Sequence, residues 1–231
     1  MSVPKARRAS GAKRSRLPAG ERREQILAVA AGVFAEKGYR RAQVTDIVRG
    51  AGIGRGTFYL YFDSKREAFL QLIERYFADF AFLLEENHRR LNAAVRDGSD
   101  VLQVWRENMR EVFEYHRRNS HLTTVVYREA IGRDEDFRSR VDELVGMARD
   151  QFIEQFTLLR DSRLIGRCKP EVAADIVMGS SIYLIMEHVL EGSDRELDQL
   201  IEDMLAYHVS ALAPRALEVG ETRKAHRKQR R

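Results

Sequence analysis

Residues 42 to 65 read Ala-Gln-Val-Thr-Asp-Ile-Val-Arg-Gly-Ala-Gly-Ile-Gly-Arg-Gly-Thr-Phe-Tyr-Leu-Tyr-Phe-Asp-Ser-Lys. The spacing predicts two short helices, over 43–50 and 55–62, joined at Gly52, whose lack of a side chain permits a left-handed turn. Val44, Ile47 and Val48 supply an apolar face, Ala51 is small enough for close crossing, and Ile53, Phe58 and Phe62 anchor the second helix. What remains toward solvent is Arg55, Gly56, Thr57, Tyr59 and Tyr61. Those residue types suit DNA. Arg55 can pair with guanine O6 and N7 or with a phosphate, and Thr57 can touch a thymine methyl or a phosphate. The two phenols are hydroxyl donors for phosphate, while Gly54 and Gly56 leave the backbone open to close approach. Lys65 opens the next helix, where unpaired N–H groups also favour an anion. A nucleotide-binding glycine loop is the wrong reading of residues 52–56, because they follow a helix and not a strand.

These residues resemble the TetR family of transcriptional regulators. The resemblance is carried by Asp46-Ile47, Ala51-Gly52-Ile53, Gly56-Thr57-Phe58-Tyr59, Tyr61-Phe62 and Ser64-Lys65, preceded by Phe34-Ala35-Glu36-Lys37-Gly38-Tyr39, and covers residues 22–77. Two positions depart from the family pattern. Ala42-Gln43 stands where a hydroxyl pair usually opens the first helix of the motif, leaving Gln43 as the substitute phosphate contact. Gly54 stands where a serine often begins the recognition helix.

The elements that must hold this segment are legible from apolar periodicity. Ile26, Val29, Ala30, Val33 and Phe34 form one helical stripe closed by Gly38. Phe69, Leu72, Ile73, Tyr76, Phe77, Phe80, Leu83 and Leu84 form a longer one, over 65–92, opened by Ser64 with Glu67 as a capping box. Further helices are predicted over 100–118, 121–131, 135–160, 170–191 and 194–212, the last opened by Ser193 with Glu196. No run alternates at period two, so the fold class is all-α: a three-helix DNA-binding domain with a helix-turn-helix, followed by a larger helical domain.

The charge distribution divides the 231 residues in the same way. Residues 1–18 carry six basic and no acidic side chains, residues 19–64 are close to balanced, residues 65–212 hold 28 acids against 20 bases, and residues 213–231 seven bases against two acids. The expected organisation is a basic tail (1–18), a DNA-binding domain (19–64), a ligand-binding and dimerisation domain (65–212) and a second basic tail (213–231), both tails being disordered by composition. A lone cysteine, Cys168, cannot form an internal disulfide, which points to a reducing, cytoplasmic compartment. The longest nearly unbroken apolar stretch, residues 26–35, is half of what a membrane span needs, and no export signal follows the basic N-terminus.

The resemblance implies that residues 65–212 bind a small-molecule effector and form a homodimer through the last two helices. Trp105, Met109, Phe113, Tyr127, Phe152, Phe156, Met178 and Met186 are the candidates to line the effector pocket; flexible Met and flat aromatic walls suit an apolar or aromatic molecule. Ile176, Gly179, Ser180, Tyr183, Leu197, Leu200, Ile201, Met204, Leu205 and His208 are the candidates for the dimer surface. A two-fold dimer requires a near-palindromic double-stranded DNA operator. By the same analogy, the effector tilts the helix that begins at Lys65 and releases the operator, although a ligand-dependent activator has the same sequence signature. His116, His121 and His188 lack metal-ligand spacing, and Glu85 with His88 is a single Glu-x-x-His pair where a bundle di-metal site needs two. No metal, cofactor or catalytic residue is therefore expected. The rival reading is a sequence-indifferent nucleic-acid binder acting through its basic tails.

Overall fold

The computed structural model describes residues 17–129, 135–166 and 168–213; the basic tails expected at either end lie almost wholly outside them. The described residues form helices α1 (Ala19–Lys37), α2 (Val44–Ala51), α3 (Arg55–Tyr59), α4 (Lys65–Asp97), α5 (Val101–Arg118), α6 (Ser120–Glu129), α7 (Glu135–Asp161), α8 (Pro170–Leu190) and α9 (Leu197–Leu212). No strand occurs among them.

The apolar stripes become two cores. In the first, Ile26, Ala30 and Phe34 of α1, Ile47 of α2, Phe58 of α3 and Phe69, Leu72 and Ile73 of α4 pack together, joined by Val125 of α6 and Phe137 of α7. In the second, Leu91 of α4 meets Trp105 and Phe113 of α5, Phe156 of α7, Val177 of α8 and Ile201 of α9. Helix α4 is thus a member of both, its early turns in the first core and its later turns in the second. The first core therefore continues past residue 64 into helices of the larger domain.

Helix ends differ from expectation where local hydrogen bonding competes with periodicity. Helix α3 is five residues long; beyond Tyr59 the chain tightens, with Leu60 N–H donating to Thr57 O at 3.3 Å and Tyr61 N–H to Phe58 O at 3.0 Å. Such i to i+3 bonds are common where a helix is closed abruptly. Helix α4 runs five residues past the predicted end because Leu91 and Ala94 keep its apolar row buried, and stops at Gly98 in the left-handed region. At its start Ser64 Oγ accepts from Glu67 N–H at 3.1 Å, but the Glu67 carboxylate takes the Asp63 N–H at 2.6 Å and not that of Ser64. The Ser193 cap does not form. Helix α9 begins at Leu197 with Glu196 as its N-terminal flanking residue, and the Ser193 hydroxyl instead accepts from Arg195 N–H.

Helix α8 corrects the reading of apolar segments. By length and composition Pro170–Val189 is long and apolar enough to cross a membrane, which a search for unbroken apolar runs overlooks because polar residues interrupt it. One row of it, Ala173, Ala174, Val177 and Ile185, is buried against protein.

The turn of the helix-turn-helix depends on two glycines. Gly52 adopts φ 65°, ψ 33°, a conformation that strains other residues. Gly50 lies so close to α1 that a Cβ there would sit 2.7 Å from Val29 Cγ1, and a β-branched side chain on a helix has little rotamer freedom to yield. Gly50→Ala should lower stability by about 1–3 kcal/mol despite the better helix propensity of alanine, and Val29→Ala in the same chain should restore much of it, as measured by a denaturant double-mutant cycle.

Candidate DNA interface and ligand cavity

Helices α2 and α3 are held from beneath by aromatic and guanidinium contacts. Phe58 and Phe62 are fully buried, their ring centroids 5.5 Å apart. The Arg23 guanidinium of α1 lies over the Phe62 ring at 5.5 Å and donates to Gln71 of α4 at 2.5 Å, tying α1, α4 and the segment after α3 at one point. Gln25 donates to the last carbonyl of α2, Ala51 O, at 3.3 Å. Asp46 fixes the start of α2: its carboxylate accepts the Gln43 N–H at 3.0 Å and pairs with Lys37 at 2.7 Å, so its pKa is held below the usual carboxylate range.

With the core faces used in this way, Gln43, Gly54, Arg55, Gly56 and Tyr59 are exposed, while Thr57 and Tyr61 are half-buried. The Arg55 guanidinium stacks 5.8 Å from the Tyr59 ring centroid, which extends both along one side of α3. Nothing lies within 4 Å of a Cβ built on Gly56, so its openness is not a packing requirement. Leu60, which periodicity did not single out, is 80% exposed beside this surface.

Lys65 departs from its expected role. Its ammonium donates inward to Tyr39 O at 2.7 Å, Ala42 O at 2.8 Å and Arg40 O at 3.5 Å, and lies 4.5 Å from the Tyr39 ring centroid. An ammonium has three protons, and three backbone carbonyls of the α1–α2 connection take them. Burial draws its pKa below that of a free lysine. The residue is an anchor between α4 and the helix-turn-helix and not a free phosphate contact.

A cavity of about 300 Å³ lies between α4, α5, α6, α7 and α8, at the small end of the roughly 300–1,000 Å³ of small-molecule sites. Of the expected lining residues, Trp105, Met109, Phe113, Tyr127, Phe152 and Met178 face it. Phe156 is instead packed behind the wall, 6.1 Å from Trp105 and 6.4 Å from Phe152, and Met186 lies on the outer side of α8. The sequence reading missed the contribution of α4, which supplies Tyr76, Phe77, Phe80, Leu84 and Asn87, because an apolar stripe alone does not distinguish a cavity wall from a packed core. It also missed His116. That imidazole is buried, tilted against Phe80 with ring centroids 4.8 Å apart, and its Nδ1 is 2.8 Å from the Tyr76 hydroxyl. Burial pushes its pKa down to about 4 and that of Tyr127 up to about 12.

The family model described as "Bacterial regulatory proteins, tetR family" matches residues 26–72, the segment that forms α1 to the first turns of α4. Residues 26–72 thus carry the DNA-binding domain characteristic of the TetR family. Among the chain's relatives, the HTH-type transcriptional activator FasR of Mycolicibacterium smegmatis is 33% identical over 107 residues, 43% of this chain and 49% of the relative. The HTH-type transcriptional repressor KstR2 of Mycobacterium tuberculosis is 34% identical over 112 residues, 48% and 52% of the two chains. These matches span about half the length of each relative. The fold extends further: the transcriptional regulator FadR from Bacillus subtilis, solved in complex with stearoyl-CoA, superposes with a TM-score of 0.63 over 82% of this chain and 98% of its own, at 21% identity.

Helices α8 and α9 end the described chain, and on them the expected dimer residues separate into two groups. Leu200, Ile201, Met204, Leu205 and His208 are buried within the single chain, and Leu197 packs against the same core, so they are not available as partner-facing side chains. Their apolar row faces α5: Trp105 stacks on His208 at 5.9 Å with 11° between the rings, and Ser180 lies 3.2 Å from His208 Nε2. Ile176, Gly179 and Tyr183 remain exposed, flanked by Val172, Ile182, Met186 and, on α9, Tyr207.

Two outcomes are expected from these contacts. Lys65→Met should lower stability by about 1–3 kcal/mol, because it leaves inward-facing carbonyls without a donor, while the salt dependence of DNA binding changes by less than one phosphate contact; urea denaturation and a salt titration check the two parts. His116 is held neutral in the folded chain, so below an ordinary histidine pKa of about 6.5 the unfolded chain binds a proton that the folded one does not. The denaturation midpoint should therefore fall as pH drops from about 6.5 toward 4, and His116→Asn should flatten that dependence, with buried His208 accounting for part of what remains.

Proposed function

We propose that this protein is a transcriptional regulator that binds a near-palindromic operator as a two-fold dimer and is released when an apolar small molecule enters the cavity. The observation that carries the reading is the placement of α4. Its first residue is bonded to the connection before α2, and Tyr76, Phe77, Phe80, Leu84 and Asn87 of the same helix line the cavity. Whatever fills the cavity presses on the helix that supports the DNA-reading unit. A coupling of 1–3 kcal/mol between two such sites changes affinity about 5- to 150-fold.

In this reading Arg55 reads a base edge, Thr57, Tyr59, Tyr61 and Gln43 contact phosphates, and Gly54 and Gly56 let the backbone approach the duplex. The exposed α8–α9 face, centred on Ile176, Gly179 and Tyr183, meets its two-fold copy and sets the recognition helices one helical turn of DNA apart, roughly 34–36 Å. Its apolar character supports burial against another protein surface. The site of action is the cytoplasm, where the operator is. Relatives named as an activator and as a repressor occur side by side; release on ligand binding is our reading because α4 joins the cavity to the helix-turn-helix. The stearoyl-CoA complex of the FadR neighbour supports accommodation of an apolar chain, such as its acyl part, by this fold.

Selection of genomic fragments by the full-length protein at physiological salt should enrich one shared near-palindrome, since non-specific phosphate binding is weak there. Enrichment with no common site would instead favour sequence-indifferent binding through the basic ends. On the recovered operator, Arg55→Ala should cost about 1–3 kcal/mol and relax preference at one base pair, whereas Tyr59→Phe should weaken all sequences alike. Equal losses on specific and non-specific DNA would remove Arg55 from base reading.

A further inference from the structure

Taken together as hydrogen bonds, the contacts that join His116, Tyr76 and Thr123 assign the proton to one imidazole nitrogen. Thr123 Oγ1 lies 3.1 Å from the His116 carbonyl, which can only accept, so the single threonine proton is committed there. Thr123 Oγ1 is also 3.1 Å from the Tyr76 hydroxyl, and with its own proton committed it must accept from Tyr76. The single Tyr76 proton is therefore used in turn. The remaining contacts of His116 Nδ1, 2.8 Å to Tyr76 Oη and 3.4 Å to Thr123 Oγ1, are hydrogen bonds only if Nδ1–H donates. A neutral imidazole has one proton, so Nε2 is a bare lone pair. The hydrogen bonds of His116 among the described residues are made by Nδ1 and the backbone carbonyl, and the residue lines the cavity, which leaves Nε2 to meet a ligand.

The cavity offers this acceptor in an uncharged setting. Its described lining contains no Asp, Glu, Lys or Arg. Near it Asn87 and Asn108 hold each other by reciprocal amide-to-carbonyl bonds at 3.3 and 2.9 Å, which leaves Asn108 Oδ1 as a second oxygen without a donor. A carboxylate or phosphate placed here would lose its hydration with no cation to replace it, and would oppose lone pair to lone pair.

We propose that the cavity selects an uncharged, largely apolar molecule carrying a hydroxyl or N–H donor, which it gives to His116 Nε2. The inference rests on the reading of this cavity as the effector site. Tyr76 and Thr123 act as positioning residues: they hold the imidazole in the tautomer that accepts, while walls that are mostly apolar, interrupted by Tyr127, Gln151, Gln155 and Ser181, surround the rest of the molecule. The ligand donor then completes a relay from the cavity through the imidazole, the phenol and the threonine hydroxyl to the backbone of α5.

Trp105 is the only tryptophan of the chain and faces the cavity, so its fluorescence reports occupancy directly. Full-length protein titrated with 4-hexylphenol, 4-hexylanisole and 4-hexylbenzoate should bind the phenol roughly 3- to 10-fold tighter than the anisole, which lacks only the donor, and the benzoate more weakly than either. His116→Asn retains an amide near Tyr76 and Thr123 but places no atom at Nε2, and should bring the phenol to the affinity of the anisole. Equal binding of phenol and anisole by the unaltered protein, or preference for the benzoate, overturns the donor selection while leaving the cavity as a ligand site. Failure of all three to bind overturns the cavity reading together with it. Should the variant not fold, imidazole ¹⁵N resonances of the unaltered protein decide the matter: an unprotonated Nε2 for His116 is expected, and a protonated one overturns the proposal.

Discussion

Burial of one continuous apolar row along α4, first against α1 to α3 and then against α5 and α7, is the constraint from which the other features follow. Because the row does not break, the helix cannot bend away from either core without exposing large side chains; Phe69, Leu72 and Ile73 secure its beginning and Leu84 and Leu91 its later turns. Backbone hydrogen bonds between the two groups keep the rod stiff. The DNA-reading unit consequently has no independent orientation. Arg23 and Lys65 add polar ties at the junction, each bringing a long cationic side chain to partners that a salt-screened surface pair would not provide.

The sequence was most informative where local geometry and burial demand particular residue types. Gly52, Phe58 and Phe62 were legible because few alternatives satisfy a left-handed turn or a fully buried ring at those positions, and the helix count followed from periodicity. Helix termini were less so: Ser193 has the right chemistry for a cap, but its hydroxyl found a nearer N–H in a turn. Periodicity also does not say which of two available surfaces an apolar row will meet. Leu200, Ile201, Met204 and Leu205 could have faced a second chain, and in the structure they face α5. Six of eight residues expected at the pocket do line it, yet the polar part, Tyr76 with His116 and Thr123, was hidden by forty-odd residues of sequence separation between its members.

Lys65 illustrates the same limit from another side. A lysine at a helix start in a DNA-binding motif reads naturally as a phosphate ligand, and only coordinates reveal that three carbonyls have already taken its protons. Its charge still contributes to the field around the motif, but its position is dictated by the fold.

The length of α4 sets a mechanical scale. Eleven residues separate Lys65 from Tyr76, an arm of about 16 Å at 1.5 Å per residue. Pivoting that arm by about 10° at the cavity displaces its far end by nearly 3 Å, comparable to the roughly 3.4 Å between successive nucleotides on a strand. A pivot of that size at Tyr76 would therefore carry Lys65, and the helix-turn-helix bonded to it, by almost one base step.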